Sequence, residues 1–258
     1  MKKPRKALLL AVTVVLIAVV AAFSYITLVL PDVGPAENIK IALTPERISR
    51  GKYLSNNVVL CMDCHSQRDW LKPIVEIAAD KLGAGGADLD TSAGIPGHIY
   101  IPNITPYKLK TWTDGEILRA ITTGQRKDGS AIYPLMPWPL FSKMDRKDLY
   151  AIIAYLRSLA PIKTDPYPKP QLNFTANIFV RKMPKKSHLG TSPPVSDTVK
   201  YGEYLTLVAN CGLCHSRKKN GRMFGETIPG TALSAERYLR WGIRNWCRPI
   251  LPQTKQLV

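Results

Sequence analysis

Two short stretches, Cys61-Met62-Asp63-Cys64-His65 and Cys211-Gly212-Leu213-Cys214-His215, each set two thiols one helical turn apart with an imidazole directly after the second. That order suits addition of both sulfurs across the two vinyl groups of a haem, with the following imidazole beneath the iron. Covalent attachment would then fall to Cys61, Cys64, Cys211 and Cys214, and the first axial iron ligand of each copy to His65 and His215. A Cys-x-x-Cys pair can also be a zinc half-site, a thiol redox centre or a disulfide. A zinc ribbon wants its second pair about 15 to 20 residues on, whereas these two lie 150 residues apart. A redox dithiol wants a strand and helix context that is missing here, and a disulfide leaves the histidine after each pair unexplained.

An electron-carrying haem iron needs a sixth ligand, and a thioether favours the ferrous state and raises the potential. Met136, framed by prolines in Tyr133-Pro134-Leu135-Met136-Pro137-Trp138 and 71 residues after His65, is the candidate. Filling core space is the commoner fate of a methionine. Met144 is the rival, although its place one residue before a helix start suits packing. His98, between prolines and glycines, would give a two-histidine site of lower potential or would simply occupy a loop at the haem edge.

These residues have to be positioned, and the spacing predicts all-α elements for the task. One helix starts with Thr44 as N-cap, Pro45 at the first helical position and Glu46 in the first turn, and runs through Ile48 and Gly51 toward Leu54. Thr113-Asp114-Gly115-Glu116 is a capping-box pattern opening a second, with Ile117, Ala120 and Ile121 at helical spacing and Gly124 as the stop. A third begins near Asp145 and places Leu149, Ile152, Ile153, Leu156 and Leu159 on one face before Pro161. Gly83 to Gly97 reads as an irregular loop close to a flat ligand, and no stretch alternates as a strand would. Residues 161–194 hold seven prolines and read as an extended connector, with Leu172 to Val180 apolar enough to lie against a domain surface.

The chain also repeats itself. Arg50-Gly51-Lys52-Tyr53-Leu54 before the first motif matches Tyr201-Gly202-Glu203-Tyr204-Leu205 before the second, and Gly94-Ile95-Pro96-Gly97 is echoed by Thr227-Ile228-Pro229-Gly230. A duplicated unit is the simplest account. The expected domains are a basic leader and apolar helix at 1–31, a first haem domain at 40–162, a proline-rich linker at 163–195 and an incomplete second haem domain at 196–258.

At the N-terminus, Lys2, Lys3, Arg5 and Lys6 precede 24 uncharged residues from Ala7 to Leu30. That run can cross a hydrocarbon core of ~30 Å, whereas a secretory apolar region is only ~7 to 15 residues. A single-pass inner-membrane anchor is expected, with a removable signal peptide cut near Ala21-Ala22 as the alternative. The basic flank stays in the cytoplasm and the remainder is exported to the periplasmic side. The formal charge of +17 divides unevenly: residues 32–165 carry 17 basic against 15 acidic side chains, and 166–258 carry 15 against 4. The basic residues are scattered through loops rather than gathered on one helix face, which argues against nucleic acid and for docking to an acidic partner.

Taken together, Pro102-Asn103-Ile104-Thr105-Pro106, Trp112-Thr113-Asp114-Gly115-Glu116-Ile117, Asp128-Gly129, Met136-Pro137 and Asp148-Leu149 through Tyr155-Leu156-Arg157-Ser158-Leu159 resemble the class I cytochrome c superfamily. The likeness is to its dihaem, membrane-bound members that serve periplasmic dehydrogenases. It covers residues 44–162 well and 198–230 in part. It implies haem c, a fold in which first and last helices cross at Gly51 and Tyr155, Met136 as sixth ligand, and Pro106 and Trp112 in the haem pocket. Partners would be a dehydrogenase, a quinol-linked complex or a terminal oxidase.

The second unit departs from the pattern. At the first unit's spacing its methionine would fall near position 286, beyond residue 258. Ala232 to Val258, with the unpaired Cys247, matches none of the elements above and suits a truncated or altered tail. Met223 or His188 could stand in as ligand. The leading expectation is an electron carrier rather than an enzyme. The alternatives are a peroxidase-like or small-molecule-oxidising haem enzyme using an open second iron, for which Glu226 and Glu236 are the available acids, and a vestigial docking module.

Overall fold

The computed structural model describes residues 2–69, 76–216 and 219, and the chain divides into two compact units, Met1–Gly190 and Thr191–Val258. Met223, Glu226, Thr227 to Gly230, Glu236 and Cys247 lie outside the described residues.

The first unit opens with helix α1 (Lys2–Leu28), of which Arg5–Leu28 is long and apolar enough to cross a membrane and is not buried anywhere in its span. Helix α2 (Pro45–Tyr53) begins as its sequence dictates: Thr44 Oγ1 accepts from the Arg47 amide at 3.3 Å and Pro45 occupies the first turn. A π-helical turn, Leu54–Val58, prolongs it, and the short helix α3 (Cys61–His65) follows. Strands β1 (Arg68–Asp69) and β2 (Glu76–Ile77) pair with each other. Strands β3 (Asp88–Leu89) and β4 (Gly97–Tyr100) precede helices α4 (Pro106–Leu109), α5 (Asp114–Thr123), α6 (Trp138–Phe141) and α7 (Arg146–Ser158). Strand β5 (Gln171–Leu172) and helix α8 (Phe174–Arg181) complete the unit.

The all-α expectation therefore needs correction: β3, β4 and β5 form a small antiparallel sheet in that order. Strands of two to four residues are shorter than the window in which alternation becomes visible. The connector is likewise not extended throughout, because β5 pairs with β4 and α8 packs through Val180, which is buried.

The core lies where α2 crosses α7. Leu54, Leu149, Ile152 and Ile153 are almost wholly buried there, whereas Leu159 caps α7 half-exposed. Gly51 permits the crossing: a Cβ on it would stand 1.8 Å from the Ala151 carbonyl oxygen and 2.8 Å from Tyr155 Cβ. Arg50 grips Asp148 with Nε and Nη2 at 2.9 and 3.0 Å, and Asn56 donates to the Tyr155 hydroxyl. At the other end of α7, Arg157 binds Asp114 and the Leu109 and Trp112 carbonyls, fixing the end of α4 and the start of α5 relative to it.

Helix α5 carries both capping-box bonds, Glu116 N–H to Thr113 Oγ1 at 3.1 Å and Thr113 N–H to Glu116 Oε2 at 2.8 Å, and ends at a left-handed Gly124. Thr113→Ala removes the cap, so a loss of about 1 kcal/mol in urea unfolding is expected. The segment before α2 is also tied down rather than free: Ile41 N–H donates to Asp114 and Glu37 pairs with Arg146.

In the second unit, helix α9 (Thr198–Val208) is capped by Asp197 and precedes helix α10 (Cys211–His215).

Candidate haem-binding site

The two cysteine motifs share an unusual backbone entrance. Leu60 and Asn210, each the residue before a motif, are the only non-glycine residues with positive φ among the described residues, both at 58°. Each motif then forms one helical turn and leaves through a buried, extended serine, Ser66 (φ −123°, ψ 152°) or Ser216 (φ −126°, ψ 146°). Left-handed backbone costs an L-residue about 1 to 2 kcal/mol, so its recurrence marks a conformation the motif needs. The internal repeat extends to backbone geometry.

In the first unit the motif opens onto a cavity of about 520 Å³, within the range of ligand pockets. Cys61 and His65 stand on its wall with Pro102, Trp112, Met136 and Met144. Ile104, Leu109, Ile117, Ile152 and Leu156 make much of the remainder apolar. Cys64 is exposed beside a neighbouring cleft of about 450 Å³ that Leu135 and Gly86 also line.

His65 is held in one tautomer. Its Nδ1 lies 2.8 Å from the Pro102 carbonyl oxygen, and because a carbonyl only accepts, Nδ1 carries the proton and Nε2 keeps its lone pair. An outer hydrogen bond of this kind orients a ligating imidazole and raises its basicity. Burial pushes the His65 pKa down, opposed by the Pro102 bond, so the ring is neutral at pH 7. The Pro102 carbonyl is fixed in turn by the next residue. Asn103 is buried, donates to Ile162 O (2.8 Å) and Thr164 Oγ1, and accepts from the Thr105 amide and hydroxyl.

Burial pushes the Cys61 thiol up to about 12, with the Ser55 hydroxyl opposing, and it raises Cys64 as well, with Asp63 adding to the rise. Both are protonated thiols at neutral pH. A thiol–disulfide exchange nucleophile needs the thiolate. Among the described residues no three of His, Cys, Asp and Glu converge on a metal-sized site, and Cys61, Cys64 and Cys211 are free.

The fit to haem rests on this donor set: a neutral imidazole with Nε2 available, a thioether and a thiol on one largely apolar cavity. Arg126 adds a cation on the wall, donating to the Ala131 carbonyl (2.5 Å) and Ser130 Oγ, its pKa lowered by burial against the opposing charge of Asp128. With Lys108, it would meet the carboxylates of a porphyrin. Spacing points to neither Arg126 nor the Pro102 carbonyl, although Pro102 itself sits in a motif already noted.

Other expectations sort clearly. Met144 is wholly buried and lies on the cavity wall, while Met136 is half-buried there. His98 is exposed on β4, 3.4 Å from Asp88, and away from the cavity, so it is neither a loop residue nor a sixth ligand to this site. Pro106 starts α4 instead of lining the cavity, whereas Trp112 does line it. The glycine-rich segment supports rather than covers: Gly85 N–H donates to His65 O and Gly83 N–H to Ser66 Oγ. In the second unit Cys211 and His215 are half-buried on α10, which also carries Cys214, and His188 is exposed in the first unit.

No protein-family model matches the chain. Its curated relatives nonetheless include cytochrome subunits of several dehydrogenases. It is 31% identical over 185 residues to the cytochrome c subunit of alcohol dehydrogenase (quinone) from Gluconacetobacter polyoxogenes, covering 65% of this chain and 37% of that protein. The subunit of the same name from Gluconobacter oxydans (strain 621H) is 30% identical over 223 residues, 79% of this chain and 42% of that one. The fructose dehydrogenase cytochrome subunit of Gluconobacter japonicus is 29% identical over 196 residues, 70% and 37% of the two chains. The chain thus matches about two fifths of the length of these relatives.

Proposed function

We propose that the chain is an electron-transfer cytochrome c that serves a membrane-bound dehydrogenase. In this reading Cys61 and Cys64 would attach one haem c, and His65 and Met136 would ligate its iron. Cys211, Cys214 and His215 attach another, and α1 anchors the chain with both units on the periplasmic side. The cytochrome subunits among its relatives support the dehydrogenase partner, and electrons would leave to a quinol-linked complex or terminal oxidase.

The observation that carries the reading is the His65 Nδ1 to Pro102 bond, which leaves Nε2 with its lone pair on a residue that lines the same cavity as Cys61 and Met136. Haem, when bound, supplies a one-electron iron couple. The protein's part is to hold the ligands still. Asn103 pins Pro102, Pro102 orients His65, and the proline-framed turn closed by Met136 N–H to Tyr133 O presents Met136. Ligands fixed in this way need little rearrangement between redox states, which suits electron transfer.

Intact-mass measurement on chain matured in a host competent for haem attachment tests this directly. Two covalent haems are expected, falling to one in Cys61→Ala/Cys64→Ala. Acid extraction that strips all colour and leaves free thiols at both positions would sink the proposal.

A further inference from the structure

Helix α8 is joined to α1 at a particular height. The Phe174 ring stacks on Phe23 with centroids 6.1 Å apart, and Arg181 Nη1 donates to the Thr27 carbonyl at 2.8 Å, capping the end of α1. At ~1.5 Å per residue, Phe23 stands ~27 Å along α1 from Arg5 and Thr27 ~33 Å. A hydrocarbon core is ~30 Å thick, so these two contacts straddle its edge. Along ~10 Å of α8 the partners on α1 rise by only ~6 Å. The helix therefore crosses α1 obliquely at the level where lipid tails give way to headgroups.

Its composition fits that level. Val180 is buried against the protein, while Phe174 and Phe179 are 67% and 64% exposed. Two phenylalanines left this open on one eight-residue helix are costly in water but suited to the acyl boundary. Arg181, Lys182, Lys185 and Lys186 follow at once, the three lysines exposed, and residues 166–196 contain no Asp or Glu at all. Apolar rings followed by uncompensated cations match a layer that is apolar below and anionic above.

We infer that α8 is an interfacial helix, inserting Phe174 and Phe179 into the lipid leaflet where α1 emerges and setting Lys182, Lys185 and Lys186 among anionic phospholipid headgroups. The occupant of this face is lipid, not a protein subunit. The inference rests on α1 remaining attached as the anchor, and adds that the first unit is held down on the bilayer at a second point.

Photo-crosslinking of the full chain in native membranes tests it, with p-benzoylphenylalanine placed one site at a time at Phe174, Phe179, Val15 and Tyr53. Phospholipid adducts, read by mass spectrometry, are expected at 174 and 179 within several-fold of the yield at 15 in α1, and at least tenfold above that at 53. Adducts at 15 with none at 174 or 179, or protein adducts there in place of lipid, would overturn the interfacial helix while leaving the anchor intact. Absence of lipid adducts at 15 as well would remove the anchor from the proposed function together with this inference.

Discussion

Replacing Gly51 by alanine is expected to cost the first unit on the order of 4 kcal/mol, a large share of the roughly 5 to 15 kcal/mol that holds a typical domain together. The added Cβ would lie 1.8 Å from the Ala151 carbonyl oxygen, 2.5 Å from its carbon and 2.8 Å from Tyr155 Cβ. Two of these are backbone atoms in the middle of α7, so no rotamer change relieves the overlap. The helices must separate by more than 1 Å to restore contact distances of about 3.5 Å. That separation would pull Arg50 from Asp148 and Asn56 from Tyr155, and would loosen the close-packed Leu54, Ile152 and Ile153. Overpacking alone costs about 1 to 3 kcal/mol, and the broken polar pairs add to it. Urea unfolding followed by far-ultraviolet dichroism should show the midpoint collapse, together with a lower yield of haem-loaded chain. A midpoint within 1 kcal/mol of wild type would mean that α2 and α7 do not cross at this glycine.

That crossing was visible in the sequence only through its resemblance to the class I cytochrome c superfamily, because a glycine inside a helix says nothing by itself about what approaches it. Features set by neighbouring residues were more directly legible. The Thr113 to Glu116 cap, the Asp145 start of α7 and its buried face each follow from spacing within one element. The first motif's thiols and imidazole were legible for the same reason. The long-range features were not. The left-handed Leu60 has no glycine to announce it, and the Pro102 carbonyl that fixes the His65 tautomer is a backbone atom 37 residues away. Arg126 belongs to no motif, yet it stands on the cavity wall, and α8 was hidden in a proline-rich stretch. Chemistry that depends on consecutive side chains is written locally, whereas chemistry that depends on a carbonyl or a cation from another segment appears only after folding.

Met136 and Met144 stand on the same cavity, Met136 half-buried and Met144 wholly buried, and the proposed ligand should respond to truncation differently from a packing residue. Both variants should be made in a Cys211→Ala/Cys214→Ala chain, so that one haem reports. Met136→Ala is expected to keep that haem covalently attached, since Cys61, Cys64 and His65 are untouched, but to lose the sulfur-to-iron charge-transfer absorption and turn the ferric spectrum from low-spin to high-spin. The potential should fall, because a thioether stabilises the ferrous state. The loss of stability should stay below about 2 kcal/mol, as a half-buried side chain forfeits only part of the full cavity cost. Met144→Ala should do the reverse: at zero exposure its truncation costs about 2 to 5 kcal/mol with the low-spin spectrum preserved. Met136→His supplies the decisive comparison, since an imidazole at that position restores low-spin iron at a potential below wild type, which no purely structural role of the side chain would produce. If Met136→Ala remains low-spin with its charge-transfer absorption intact, the sixth ligand is another residue, and Met144, which lines the same cavity, is the one to examine next.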